Sequence, residues 1–180
     1  MDYTEKKLDG RDIFRGRVVY LHVDDVELSN GDRSTREVVE HPGGVTVIPV
    51  DENGDVWCVR QYRYPFGLHL LETPAGKLEP WEDPLECAVR ELSEETGFEA
   101  EQFISLGCMY PSPGYCRETL YIYLALGLKP GPAHLDPDEF LDVEKHSLNE
   151  LLDMAMRDEL RDAKTVLAVM KAKHWLDGRR

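Results

Sequence analysis

The sequence predicts an α+β (mixed α/β) fold carrying an N-terminal antiparallel β appendage. Three observations point there. Strand-like runs come first, one helix follows, more strands come next, and two helices close the chain, whereas a doubly wound parallel sheet would alternate strand and helix throughout. Two Asn-Gly pairs, Asn30-Gly31 and Asn53-Gly54, sit between apolar or β-branched runs, the strongest short-range hairpin signal. Helical periodicity is confined to three stretches, 83–97, 148–158 and 162–176.

In chain order, residues 17–23 are β-branched and aromatic, 27–33 hold the first Asn-Gly turn, and 36–40 resume the pairing. His41-Pro42-Gly43-Gly44 is a natural joint, so residues 1–41 are read as the appendage and 42–180 as the main domain. Runs 45–50 and 56–62 flank the second turn, and 68–72 is a short strand. Asp83-Pro84 starts a helix, because Asp accepts hydrogen bonds from free N–H groups and Pro loses nothing at the first position. Gly97 is its left-handed stop. Leu85, Ala88, Val89 and Leu92 recur at helical spacing as an apolar stripe. Segments 103–109 and 119–125 read as strands around Pro111-Ser112-Pro113-Gly114, and 129–138 as a loop. In the last helix Val166, Val169, Met170 and Leu176 form the apolar face.

The net charge of −14 argues against a nucleic-acid or anionic-membrane partner, either of which needs a basic patch. Cys58, Cys87, Cys108 and Cys116 show no zinc-type spacing, and Cys58 and Cys87 read as buried thiols inside a strand and a helix. The first ten residues lack the apolar core of a signal peptide, and no apolar run reaches the ~18 residues that span a bilayer. A cytoplasmic protein is expected.

The chemistry is concentrated in residues 76–98. There Gly76 is followed by Glu82, then by Arg90-Glu91-Leu92 and Glu94-Glu95, then by Gly97-Phe98. Glu91, Glu94 and Glu95 share one helical turn, where like charges repel. A hard divalent cation such as Mg²⁺, bound by a few carboxylates and substrate phosphate oxygens, would relieve that crowding.

This spacing resembles the signature of the Nudix hydrolases at every fixed position over 23 residues. The resemblance implies a Mg²⁺- or Mn²⁺-dependent hydrolase of a nucleoside diphosphate derivative, folded as an α/β/α sandwich around a mixed sheet. Residues 71–79, Arg60-Gln61-Tyr62-Arg63, 35–39, the Pro111–Gly114 loop with Pro113 sixteen residues after Gly97, Asp138-Glu139-Phe140 and Asp162-Ala163-Lys164-Thr165 resemble the ADP-ribose pyrophosphatase branch. Most of the chain is covered.

On that footing Glu91 and Glu95 are the first metal ligands expected, with Glu94 a third and Glu82 a ligand or an orienting group. The family pattern adds the backbone carbonyl of Ala75, which Gly76 lets approach. Glu139 is the preferred general base, with Asp138, Asp136 and Glu118 as alternatives. Glu94 and Arg90 complete the catalytic set, Arg90 by holding the loop against the glutamates. Arg63 is the phosphate clamp, since guanidinium matches phosphate oxygens in pairs. Arg36 and Glu37 resemble residues that meet the adenine end, often across a dimer interface, while Ser112, Pro113 and Glu118 border the substrate. The expected reaction is ADP-ribose to AMP and ribose 5-phosphate. Alternatives are another nucleoside diphosphate sugar such as GDP-mannose, a dinucleotide, or nonenzymatic nucleotide binding. A homodimer is expected, because an isolated hairpin appendage is marginal alone.

Overall fold

Val45, Val47 and Ala125 pack into one apolar cluster, while Ile48, Ile122 and Leu124 pack into another. Side chains alternate across a strand, so a single sheet here is buried on both faces. In the computed structural model, which describes residues 2–135 and 139–178, the chain divides into two compact units. One is Met1–Gly43 with Tyr110–Thr119, the other Gly44–Met109 with Leu120–Arg180.

The buried sheet belongs to the second unit. It contains β4 (Gly44–Pro49), β7 (Ala75–Lys77), β8 (Phe98–Met109) and β9 (Leu120–Pro130), in the order β7-β4-β9-β8. β4 and β9 run parallel, Gly44 opposite Leu120 through Pro49 opposite Ala125, and the other two pairings are antiparallel, so the sheet is mixed. A second sheet, ordered β10-β5-β6, is built from β5 (Asp55–Arg63), β6 (Leu68–Glu72) and β10 (Leu141–Ser147). Helix α1 (Pro84–Thr96) covers the Val45–Val47 face through Cys87, Ala88 and Leu92. Helices α2 (Leu148–Met156) and α3 (Ala163–Asp177) cover the other face through Leu148, Leu151, Ala168, Val169 and Ala172. Ala168 and Ala172 of α3 are wholly buried in this cluster.

The caps of α1 form as the sequence predicts. Asp83 accepts the Leu85 amide at 2.8 Å and Gly97 ends the helix at φ 71°. The predicted apolar stripe needs correction. Ala88 and Leu92 are buried, but Leu85 and Val89 are 42% and 46% exposed, and Glu91 and Glu95 are buried with Cys87. Cys87, Glu91 and Glu95 form one i, i+4 row beside Ala88 and Leu92, so packing that pair on β4 carries the carboxylates inward. Burial raises the thiols of Cys58 and Cys87 to about 12.

The first unit is an antiparallel meander of β1 (Lys6–Arg15), β2 (Tyr20–Glu27) and β3 (Arg33–Glu40). The Asn30-Gly31 hairpin is present, with Gly31 at φ 90°. Strand β1 was not anticipated. It is charged, holds Gly10, and is exposed at every position, so no alternation marks it. Residues 110–119 join this unit through β3, the Val39 amide donating to the Tyr115 carbonyl at 2.7 Å and the Arg117 amide to the Val39 carbonyl at 2.9 Å. Among the described residues no helix is long and apolar enough to cross a membrane.

Candidate active site

Strand β7 brings the signature loop against α1. It pairs with β4, Thr46 opposite Ala75 and Val45 opposite Gly76. The Ala75 amide donates to Glu95 Oε2 at 3.0 Å. At Gly76 the strand passes so close to α1 that a Cβ there would overlap the Glu91 carboxylate. Glycine is therefore required by the glutamate above it.

Arg90 ties the loop to the helix. Its Nε and Nη2 donate to the two oxygens of Glu82 at 2.8 and 3.0 Å, its Nη1 donates to Glu91 Oε1 at 2.8 Å and Glu94 Oε2 at 2.9 Å, and its Nη2 reaches the Lys77 carbonyl at 3.3 Å. One planar fork thus spans three carboxylates, which a lysine ammonium could not reproduce. The guanidinium, helped by the Glu79 amide, holds the Glu82 carboxyl down at about 2.

Glu95 lies deeper and is 2% exposed. Burial, reinforced by the charges of Glu91 and Glu139, pushes its carboxyl up to about 8, against the Ala75 hydrogen bond. Glu91 is raised for the same first reason, burial, with Arg90 opposing and Glu94 and Glu139 adding to the rise. Among the described residues no three His, Cys, Asp or Glu side chains are gathered as a ready metal centre. The donor chemistry nevertheless fits a hard cation, because Glu91 and Glu95 are buried carboxylates one helical turn apart, Glu91 paired with Arg90 and Glu95 accepting the Ala75 amide.

The other expected residues fall into two groups. Glu139 is exposed, and its charge is felt at both Glu91 and Glu95. Asp136 and Asp138 lie outside the described residues. Arg63, expected to clamp phosphate, gives Nε and Nη2 to the buried Glu72, both at 2.7 Å. Its guanidinium edge facing Glu72 is thus already committed, and the side chain is partly exposed beyond it. The remaining five belong to the first unit. Arg36 bonds Glu5 and the Thr35 carbonyl, and Glu37 is exposed opposite Val23. Ser112 accepts the Cys116 amide at 2.9 Å through its carbonyl, Pro113 is exposed, and Glu118 lies 3.7 Å from His41.

Not anticipated was a polar cluster under the loop, made of Thr46, Glu72, Thr73, Asp162, Lys164 and Thr165. A signal for part of it existed, since Glu72 ends the apolar run Leu70-Leu71 and a buried carboxylate needs a cation. Lys164 supplies it, bonding Glu72 and, at 2.9 Å, Asp162.

Trp81 was also not anticipated. It precedes Glu82 at φ 70° and is 102% exposed. A left-handed backbone costs a side-chain-bearing residue ~1–2 kcal/mol, and a fully exposed ring buries no apolar surface to offset it. Trp81→Gly is therefore expected to stabilise the chain by about 0.5–1 kcal/mol, the relieved strain less the greater unfolded-state freedom of glycine. Urea denaturation checks this, and a lower midpoint for the glycine variant would show that the ring contributes more than its backbone costs.

The NUDIX domain family matches residues 40–169. A methanol dehydrogenase activator of Bacillus methanolicus is 47% identical over 93% of this chain and 91% of its own length. An ADP-ribose pyrophosphatase of Bacillus subtilis is 41% identical over 92% of this chain and 90% of its own. A crystal structure of an ADP compounds hydrolase superposes with a TM-score of 0.86 at 26% identity, covering 97% of this chain and 95% of that one.

Proposed function

Because the chain belongs to the Nudix hydrolases, we propose that it cleaves the pyrophosphate bond of ADP-ribose, giving AMP and ribose 5-phosphate. The observation that carries this is the Glu91–Glu95 pair, buried beneath a loop that only glycine permits to come so close. Relatives of matching length that carry ADP-ribose or ADP-compound names support the substrate.

Nudix hydrolases generally need a divalent metal, and Mg²⁺ or Mn²⁺ is the one proposed here. Glu91, Glu95 and the Ala75 carbonyl would hold it, with Glu94 and Glu82 nearby through Arg90. When bound, such a cation neutralises phosphate charge and makes water more acidic. The chain's own residues do the rest. Glu139 takes a proton from the attacking water as its oxygen bonds to phosphorus, and the bridging P–O bond breaks, leaving its electron pair on the departing phosphate. Arg90 keeps Glu82, Glu91 and Glu94 from drifting apart under their own repulsion. Arg63, oriented by Glu72, turns its exposed edge toward phosphate oxygens. Arg36, Glu37, Ser112, Pro113 and Glu118 serve the nucleoside and ribose ends.

We place the protein in the cytoplasm as a homodimer formed through residues 1–41. Exposed Ile13, Phe14 and Val18 in that region support the second point.

The test is a substrate panel of ADP-ribose, GDP-mannose, diadenosine polyphosphates and NADH, with and without Mg²⁺, read by product chromatography. AMP and ribose 5-phosphate from ADP-ribose, formed only with metal, are expected. Faster GDP-mannose cleavage would move the assignment to that sugar. The relative named as a methanol dehydrogenase activator favours a second reading, in which the chain stimulates a dehydrogenase. Adding the chain to a methanol dehydrogenase assay tests that reading directly.

A further inference from the structure

The Asp162–Thr165 segment lies at the start of α3, far from Ala75 in sequence, yet it is bonded to the strand that leads into the loop. Asp162 caps α3, its Oδ2 accepting the Thr165 amide at 3.0 Å and the Thr165 hydroxyl at 2.5 Å. With its hydrogen given to Asp162, the Thr165 oxygen accepts the Thr73 amide at 2.9 Å. Thr73 Oγ1 lies 3.2 Å from Thr165 Oγ1 and 2.7 Å from Thr46 Oγ1. Thr46 Oγ1 also lies 3.2 Å from the Pro74 carbonyl, which accepts the Val47 amide at 2.8 Å. The next amide, Ala75, donates to Glu95. Thr46, Thr73 and Thr165 are wholly buried. Three consecutive residues, 73 to 75, are therefore pinned in turn by α3, by β4 and by α1.

We propose that Thr165, oriented by Asp162, is a positioning residue for the metal site: it fixes Thr73 and thereby the peptide that presents the Ala75 carbonyl to the cation. This rests on the metal-dependent hydrolase reading above. Lys164 and Glu72 reinforce the arrangement, because their ion pair anchors the residue before Thr73 to the same helical turn. A buried amide left without a partner shifts to find one, and here it can shift only by moving the strand that carries Ala75. Outer-shell partners of this kind commonly change metal affinity by ~10–100-fold when removed.

The experiment measures Mn²⁺ binding to the full chain by electron paramagnetic resonance, alongside thermal unfolding in chelator. Thr165→Val keeps the shape and removes the hydroxyl, so Mn²⁺ binding should weaken by about tenfold. Thr165→Ser should restore it to within about twofold. Val169→Ala, on the same helix with no hydroxyl involved, should lower the unfolding temperature and leave Mn²⁺ binding unchanged. If Thr165→Val does not fold, Asp162→Asn takes its place, since it weakens the same hydroxyl's anchor. Undiminished Mn²⁺ binding by Thr165→Val, or by Asp162→Asn in its place, or failure of serine to rescue, overturns the positioning role while the hydrolase reading stands. A parent chain that binds no Mn²⁺ removes both.

Discussion

Glu95→Gln is expected to lower metal-dependent turnover on the order of 10³-fold, because losing one cation ligand removes several kcal/mol of transition-state stabilisation. The fold should survive. Glutamine has nearly the same shape, and its amide oxygen can still accept the Ala75 N–H that Glu95 now binds at 3.0 Å. A second readout separates ligation from mere damage. The parent should gain ~2.7 kcal/mol of stability at a Mg²⁺ concentration a hundred times its dissociation constant, and the variant should gain almost none. In chelator the variant should be at least as stable as the parent, since burial beside Glu91 and Glu139 raises the Glu95 carboxyl to about 8, a cost to folding at neutral pH that glutamine does not carry. Turnover retained within tenfold, with the full Mg²⁺-induced stabilisation, would show that Glu95 does not bind the cation.

The sequence carried the fold at most places where a local rule operates; Asn53-Gly54 is the exception, since its turn forms but β4 and β5 part into different sheets after the single bridge of Val50 to Val56. Asn30-Gly31 marked the first hairpin, Asp83-Pro84 and Gly97 bounded α1, and Asp162 marked the start of α3. It was silent where structure comes from the partner rather than from the segment. β1 is an exposed, charged strand defined only by pairing with β2. The rotation of α1 is set by what β4 and β7 offer, which periodicity cannot show, so Leu85 and Val89 were assigned to the buried face in error. The spacing of Glu91, Glu94 and Glu95 was legible because an i, i+4 relation is local. Arg63 shows the limit of reasoning by residue type. A guanidinium suits phosphate and carboxylate equally, and only the fold shows that Glu72 takes its Nε–Nη2 edge. The threonines 46, 73 and 165 are far apart in sequence, and although Thr73 and Thr165 lie in segments that resemble the ADP-ribose pyrophosphatase branch, nothing local shows that the three meet.

Gly76→Ala is expected to cost about 10²-fold or more in turnover while changing stability by less than ~1 kcal/mol, a separation few single-methyl changes produce. The added Cβ would sit inside the volume now held by the Glu91 carboxylate. The atoms it meets are the far end of a side chain, so the backbone pairing of Gly76 with Val45 need not open. What must move is the carboxylate, and with it the 2.8 Å bond from Arg90 Nη1. A shift of ~1 Å at a reacting centre is enough for a loss of this size. Because Arg90 also holds Glu82 and Glu94, the displacement spreads along its fork rather than stopping at one residue. The check is turnover against urea midpoint, with Mn²⁺ affinity as the intermediate readout. An alanine variant that unfolds early would mean that strand β7 itself yields, and one that keeps full activity would mean that the position of Glu91 is not what sets the rate.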